Sequence, residues 1–255
     1  MKRVLLIDGD EYLFKACAAV ERETRWDDQN HVLHCNEAEA WDNFTRMVSQ
    51  LGDKLDAQDQ VLCFSGKRPY FREHLDPGYK GGRDKVRKPL CYSDLRERCD
   101  QDYVTRSFDG LEADDVMGLL QTKPSGARSQ GAMATIICSQ DKDMQTIPGT
   151  LWRQGELQEI SVEQADRFWL FQALKGDPTD GYKGCPGLGD KRATSWLEAE
   201  NGPGLPWSWG RVLGAYTKAG LGEEDALLQA RLARILRWED WDSAKKEVRL
   251  WSPVA

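Results

Sequence analysis

Short apolar runs alternate with longer stretches of helical period along this chain. Val4-Leu5-Leu6-Ile7, Val61-Leu62-Cys63-Phe64 and Ala134-Thr135-Ile136-Ile137-Cys138 are runs of aliphatic and β-branched residues, and they read as buried parallel strands. Residues 3–64 predict strand, helix, helix, strand, with the second helix over about Glu37 to Leu55 and Trp41, Phe44, Val48 and Leu51 on one face. Such a unit is a right-handed crossover by default. From 66 to 100 the apolar period fades and Pro69, Pro77-Gly78, Gly81-Gly82 and Pro89 dominate. That stretch predicts an insertion, either a mobile loop or a short-helix arch.

Beyond it, a strand is expected at Tyr103–Ser107, a helix from about Leu111 to Thr122 and a loop at Lys123–Gly131. A hairpin or short strand is expected over Trp152 to Ile160, then an amphipathic helix at Val162 to Lys175 with Phe168, Phe171 and Leu174 inward. The segment from Gly184 to Ala193 reads as a tight turn that delivers backbone N–H groups to a helix start, a ready anion site. A helix at about Glu223–Trp238 and a strand near Val248–Trp251 close the chain. The fold class is therefore α/β, with a central, mostly parallel sheet flanked by helices.

Carboxylates stand at the ends of these runs: Asp8 and Asp10, then Glu112, Asp114 and Asp115, then Asp141 and Asp143, then Asp177 and Asp180. In an open α/β sheet the ligand crevice lies beyond the carboxyl ends of the strands, where these acids would converge. Each pair about 5 Å apart would repel by about 3 kcal/mol at an effective dielectric near 20. Convergence therefore implies bound cations, and hard oxygen donors select Mg²⁺ or Mn²⁺ over zinc. Helix-start stabilisation would explain one or two of Glu112, Asp114 and Asp115 but not three. Glu112 and Asp115 share a face of the first turn while Asp114 points elsewhere, so the cluster can reach two ions. Asp141 and Asp143 could form a capping turn before Met144, yet Ser139-Gln140 would serve that purpose without two acids, and N-caps in a Gly-Asp-Pro-Thr-Asp-Gly turn are the lesser reading for Asp177 and Asp180.

The 255 residues carry 35 Lys and Arg against 42 Asp and Glu, a formal net charge of -7. That balance argues against a pure phosphate binder, but its distribution matters more. Between Lys67 and Arg98 there are ten basic and five acidic residues, with Tyr70, Phe71, Tyr79 and Tyr92 interleaved. Aromatics among cations suit a nucleic-acid strand, which needs stacking and phosphate neutralisation, although such a run is more commonly a solvated face. Seven cysteines without a CxxC pair form neither a disulfide framework nor a zinc ribbon and fit a reducing, cytoplasmic setting. His31, His34 and Cys35 hint at a metal fragment, yet three histidines in all cannot complete an ordinary catalytic zinc site. Met1-Lys2-Arg3 leads straight into a strand, with no signal peptide, and no apolar run reaches bilayer length.

Five segments, in order, resemble the 5′-nuclease (flap endonuclease) superfamily, and most closely the stand-alone 5′→3′ exonucleases of podovirus-type phages. They are Ile7-Asp8-Gly9-Asp10; Tyr79-Lys80-Gly81-Gly82-Arg83; Gly110 to Gly118; Ser139-Gln140-Asp141-Lys142-Asp143; and Lys175 to Gly181 with the glycine turn. The resemblance implies a PIN-like core over 1–175 with an arch at about 66–100, and a helix–turn–helix-type duplex-binding lobe over 176–255. It further implies a Mg²⁺-dependent exonuclease acting on double-stranded DNA with a 5′ end, nick or flap, and on RNA–DNA hybrids, with flap cleavage as well. Asp8, Glu112 and Asp114 would hold one ion and Asp141, Asp143 and Asp177 the other, with Asp115 between them and Asp180 assisting.

Lys80 and Arg83 would act on the phosphate from the arch. Tyr79, Lys85, Arg87, Lys88, Gly187, Gly189 and Lys191 would contact DNA, with a K⁺ ion near Gly187 and Gly189. A monomer working in a bacterial host's cytoplasm, removing primers and degrading host DNA, is the implied role. The family places an aspartate at the end of the second core strand, and the absence is assigned to Gly66 in Phe64-Ser65-Gly66-Lys67. A nuclease fold that grips branched DNA without cutting is thus a rival reading. So is a haloacid-dehalogenase phosphatase built on Asp8-Gly9-Asp10 and Gly176-Asp177, although Tyr12 and the 112–115 acids do not suit it.

Overall fold

The computed structural model describes residues 2–27, 29–82, 87–124, 134–198 and 209–253. In chain order the elements are β1 (Arg3–Asp8), α1 (Gly9–Val20), β2 (Arg22–Arg25), β3 (His31–His34), α2 (Glu37–Lys54), β4 (Asp59–Cys63), α3 (Phe71–Leu75), α4 (Tyr92–Asp102) and β5 (Thr105–Arg106). They continue with α5 (Ala113–Thr122), β6 (Ala134–Cys138), a 3₁₀ turn (Lys142–Thr146), β7 (Gly149–Arg153), β8 (Glu156–Ile160), α6 (Val162–Lys175), α7 (Asp190–Glu198) and α8 (Trp209–Lys218). Last come α9 (Glu223–Ala233), a 3₁₀ turn (Trp238–Asp240), β9 (Trp241–Asp242) and β10 (Glu247–Val248).

Six strands form the main sheet in the order β5-β4-β1-β6-β7-β8. The first five run parallel, and β8 turns back antiparallel on β7. β1 lies between β4 and β6, so Leu5 and Ile7, without exposed surface, pack beneath α1 and α2. Trp41, Phe44, Val48 and Leu51 form the buried face of α2, as the helical period predicts. On the other face, Leu6 and Ile137 pack with Val116, Met117 and Leu119 of α5.

A second apolar cluster joins α6, α7, α8 and α9. The inward face of α6 is Ala165, Trp169, Leu170, Ala173 and Leu174, whereas Phe168 and Phe171 are only half-buried. Leu174 faces inward as expected, while Trp169 and Leu170 take the buried rotation expected of Phe168 and Phe171. Trp169 fixes the rotation by donating its indole N–H to the Ala230 carbonyl at 2.8 Å. α8 is an element the pattern did not reveal, and the β2–β3 hairpin between the first two helices is another.

The stretch from 66 to 100 is more ordered than its composition suggests. Tyr92, Leu95 and Cys99 of α4 join the main core, and Arg72 and Tyr79 are buried. Outside regular structure remain residues 66–70 and the segment between α3 and α4, of which residues 83–86 lie outside the described residues. Most of the loop expected at 123–131 lies outside them as well. α9 stops at Ala233, short of the expected Trp238, because Arg234 turns extended and the next residues bond elsewhere. The closing strand is the small β9–β10 hairpin. Cys35 and Cys91 are paired as a disulfide with Cα atoms 6.3 Å apart, which corrects the expectation of unpaired cysteines and removes Cys35 from any metal fragment. The other five cysteines are free and buried. No helix is long and apolar enough to cross a membrane among the described residues.

Candidate active site

The parallel strands β1, β4 and β6 end at one edge of the sheet, and the residues after them meet there. Asp8 ends β1 and caps α1, one oxygen accepting from Glu11 N–H at 3.0 Å and the other from the Ser139 hydroxyl at 3.1 Å. Ser139 immediately follows β6, and its hydroxyl also donates to Glu11. Glu11 further accepts from Gln140 N–H at 2.8 Å. Asp10 accepts from the Ser65 N–H beyond β4 at 2.8 Å and from the Tyr92 hydroxyl at 2.5 Å. Ser65 in turn accepts from Ala113 N–H, the first residue of α5. Three strand ends and two helix starts are thereby stitched into one floor.

Asp8, Asp114 and Asp141 share the field of this floor. Burial first, then neighbouring Asp10 and Glu11, push the Asp8 carboxyl up to about 7. Burial also holds Asp114 well above the usual carboxylate range, with Asp8 and Asp141 adding to the rise. A second group gathers around Asp143, raised to about 6 by burial and by Asp141 beside it, with Lys142 opposing. Gln172 of α6 donates to Asp143 at 2.6 Å, and Lys142 reaches Asp177 at 3.2 Å. Burial would raise Asp177, but the Thr179 N–H and Lys142 outweigh it and leave that carboxyl low. Asp177 sits in a turn closed against Tyr182, where Gly176 is required because a Cβ there would lie 2.4 Å from the Lys183 backbone.

Lys80 and Arg72 link these acids to the arch. Lys80 has a left-handed backbone (φ 52°), its N–H donates to the Asp180 carbonyl at 2.8 Å, and its ammonium pairs with Glu112 and lies 3.5 Å from Asp180. Glu112 also accepts from Arg72 at 2.9 Å and from the Tyr79 hydroxyl at 3.0 Å. Burial alone would raise Glu112, yet Lys80 and Arg72 together hold it below the usual carboxylate range.

Some expected placements are corrected here. Asp115, expected between two ions, is turned to Arg72 of the arch. It has no exposed surface, both its oxygens engage the Arg72 fork at 2.7 Å, and one of them also accepts from Leu236 N–H at 3.1 Å. Tyr79 is buried against the second apolar cluster rather than offered to DNA. Arg87, whose expected role is not altered by this, pairs with Glu21 and keeps half of its side chain exposed. Gly66 is not the empty ligand position, because a Cβ there would lie 2.0 Å from the Phe108 carbonyl oxygen. Ser65 is the strand-end residue that faces the acids.

Lys88 lies over the Tyr92 ring at 4.1 Å, beside the acids. Gly187 and Lys191 line a separate cavity of about 540 Å³ with Trp196 and Lys218, and Gly189 leads directly into α7. Arg83 and Lys85 lie outside the described residues. Arg72, Glu11 and Lys142 went unnoticed as site residues. Glu11 was legible as the acid three residues after Asp8, whereas Arg72 carried no local signal.

Every donor in the cluster is a carboxylate oxygen, a chemistry suited to a hard divalent cation. As placed, no three acidic, histidine or cysteine side chains among the described residues enclose an ion together. Lys80, Arg72 and Lys142 neutralise them instead. The donor set fits such a cation by type, and burial, with repulsion from neighbouring acids added, raises Asp8 and Asp114.

Residues 3–165 match the family model described as the 5′-3′ exonuclease, N-terminal resolvase-like domain. The chain is 32% identical to the exodeoxyribonuclease of Enterobacteria phage T3 over 99% of its own length and 93% of that protein. It is also 32% identical to the exonuclease of Escherichia phage T7, over 99% of its length and 94% of that protein. The T5 D15 protein co-crystallised with metal ions shares its fold, with a TM-score of 0.62 at 16% identity over 91% of this chain and 89% of that one. A complex of the T5 D15 flap endonuclease with DNA and metal ions superposes at a TM-score of 0.61 and 17% identity, over 91% of this chain and 90% of that one.

Proposed function

The chain belongs to the 5′-3′ exonuclease family, and from that premise we propose that it hydrolyses phosphodiesters near the 5′ end of DNA with the help of two divalent cations. Mg²⁺ is the natural choice and Mn²⁺ a substitute. Asp8, Glu112 and Asp114 would hold one ion and Asp141, Asp143 and Asp177 the other, with Asp180 beside them. When bound, the ions supply an activated water and stabilise the leaving oxygen.

The observation that carries this reading is Lys80, whose buried ammonium is held between Glu112 and Asp180 at the acid cluster. A phosphate entering there meets a cation that is already desolvated, where charge stabilisation counts most. Arg83, three residues on, would add a second cation. Arg72 and Tyr79 orient Glu112 from behind, and Gln172 orients Asp143.

Duplex DNA with a 5′ end, nick or flap is the proposed substrate, and RNA–DNA hybrids a further one. Support for DNA comes from the T5 D15 flap endonuclease, whose structure holds DNA and metal ions. The Gly187–Gly189 turn before α7, with Lys191 nearby, would hold the duplex backbone and a K⁺ ion. Work as a monomer in a bacterial host's cytoplasm, in primer removal and host DNA degradation, completes the proposal; likeness to the exodeoxyribonuclease of phage T3 and the exonuclease of phage T7 supports only its nuclease part.

Incubating an end-labelled duplex with and without Mg²⁺ tests the reading. Release of 5′ nucleotides only with metal is the expected result. Tight binding without cleavage at any Mg²⁺ or Mn²⁺ concentration would favour the non-cutting DNA-binding alternative, for which Ser65 at the end of β4 is the specific motive.

A further inference from the structure

Between the end of α9 and the β9–β10 hairpin, residues 234–240 run as a strap along α5. Leu236 N–H donates to Asp115 at 3.1 Å and Trp238 N–H to the Thr122 hydroxyl at 2.8 Å, near the two ends of that helix. Midway the strap lies so close that a Cβ on Gly118 would come 2.3 Å from the Leu236 carbonyl oxygen. Strap and helix are thus held as one piece, with Glu112 and Asp114 at its head.

Arg237 extends this piece to the other group of acids. Its side chain is buried; one terminal nitrogen donates to the Thr146 carbonyl at 2.9 Å, and the other pairs with Asp166 of α6 at 2.7 Å. Thr146 ends the 3₁₀ turn that Asp141 caps and that carries Asp143, and its hydroxyl donates to the Asp143 carbonyl at 2.8 Å. α6 closes the triangle, since its Gln172 donates to the Asp143 carboxylate at 2.6 Å. Met144 and Ile147 share an apolar cluster with Ile235 and Leu236 of the strap and with Val116 and Met117 of α5. Like charges on turn and helix repel, so their separation needs a tie from outside the cluster. A planar guanidinium can fork between Thr146 and Asp166 in fixed geometry, as an ammonium cannot.

We infer that Arg237 is a positioning residue: it ties the turn of Asp141 and Asp143 to the helix start of Glu112 and Asp114, and so holds the two groups of acids at one separation. Its consequence for ion binding rests on the two-cation reading proposed above. There the tie keeps the second group of ligands in place before metal arrives, and groups that orient ligands from behind contribute about tenfold or more to metal affinity.

Mn²⁺ titration calorimetry on the full-length protein tests the tie. Arg237→Met should raise the Kd of one ion about tenfold and leave the other unchanged. In the Asp141→Ala/Asp143→Ala background, which keeps only the first group, adding Arg237→Met should change nothing. The Asp166 side chain is 37% exposed and can be left to water, so the variant should fold. Should it not, Arg237→Lys keeps a positive charge but cannot fork between Asp166 and Thr146, and takes its place. Hydrogen exchange in EDTA reads the tie without metal: it should quicken over 141–147 and not over 113–122. Equal weakening of both ions, or unchanged Kd values with unchanged exchange over 141–147, would overturn the assignment. Quickened exchange confined to 141–147 in a protein that binds fewer than two ions would keep Arg237 in its role and defeat the two-cation reading.

Discussion

The guanidinium of Arg72 grips both oxygens of Asp115 at 2.7 Å, and neither side chain has meaningful access to solvent. The same guanidinium donates to the carbonyls of Leu232 and Arg234, just where α9 ends. One buried pair therefore joins the floor under Glu112 to the carboxyl end of the chain. Arg72→Met would strand Asp115 without a counter-charge, at a cost of about 3–5 kcal/mol. The double variant with Asp115→Leu should regain part of it. Urea unfolding of both variants measures the difference, and equal midpoints for single and double variants would contradict the pairing.

Ser65, and not Gly66, is where a missing carboxylate can be restored. Ser65→Asp would aim an acid at the space lined by Asp10 and Glu112, and half-maximal Mg²⁺ for cleavage should fall. Gly66→Asp should instead destabilise, since its Cβ meets the Phe108 backbone. A Mg²⁺ titration of cleavage together with a melting curve for each variant separates the two positions.

Raised carboxyls set the pH response. Asp8 at about 7 and Asp143 at about 6 bind protons in the folded chain that the unfolded chain, near 3.8, has released. Stability without metal should therefore decline as pH rises from about 4 to 7. Divalent cations should reverse that decline, raising Tm more at pH 8 than at pH 5, by a margin on the order of 5 °C. Calorimetry at both pH values, in EDTA and in Mg²⁺, provides the check.

Asp141→Ala with Asp143→Ala removes two negative charges from a surface meant to face phosphate. Cleavage should be lost while DNA binding in EDTA stays near wild type or tightens. Turnover unchanged in that variant would rule out the proposed ion placement.

Lys80→Ala should lower kcat by about 10²–10³ with a smaller change in affinity, as expected of a group that acts chiefly on the developing charge. A change confined to KM would make Lys80 a positioning contact. Because Lys80 also pairs with Glu112, unfolding of the variant should be measured alongside.

The chain's own pattern determined the parallel strands, the helix α2 with its buried face, and the acids that follow the strands. Those signals are local: side-chain period and residue type depend on neighbours a few positions away. The motifs around Asp8, Lys80, Glu112, Asp141 and Asp177 were legible for the same reason. Only the tertiary structure decided that Arg72 reaches carbonyls 160 and 162 residues away, and that Asp115 is spent on holding it. It also decided that Tyr79 turns inward to Glu112 and that Ser65 rather than Gly66 faces the acids. A buried charge must find its partner wherever the folded chain supplies one, and sequence spacing carries no record of which distant backbone that will be.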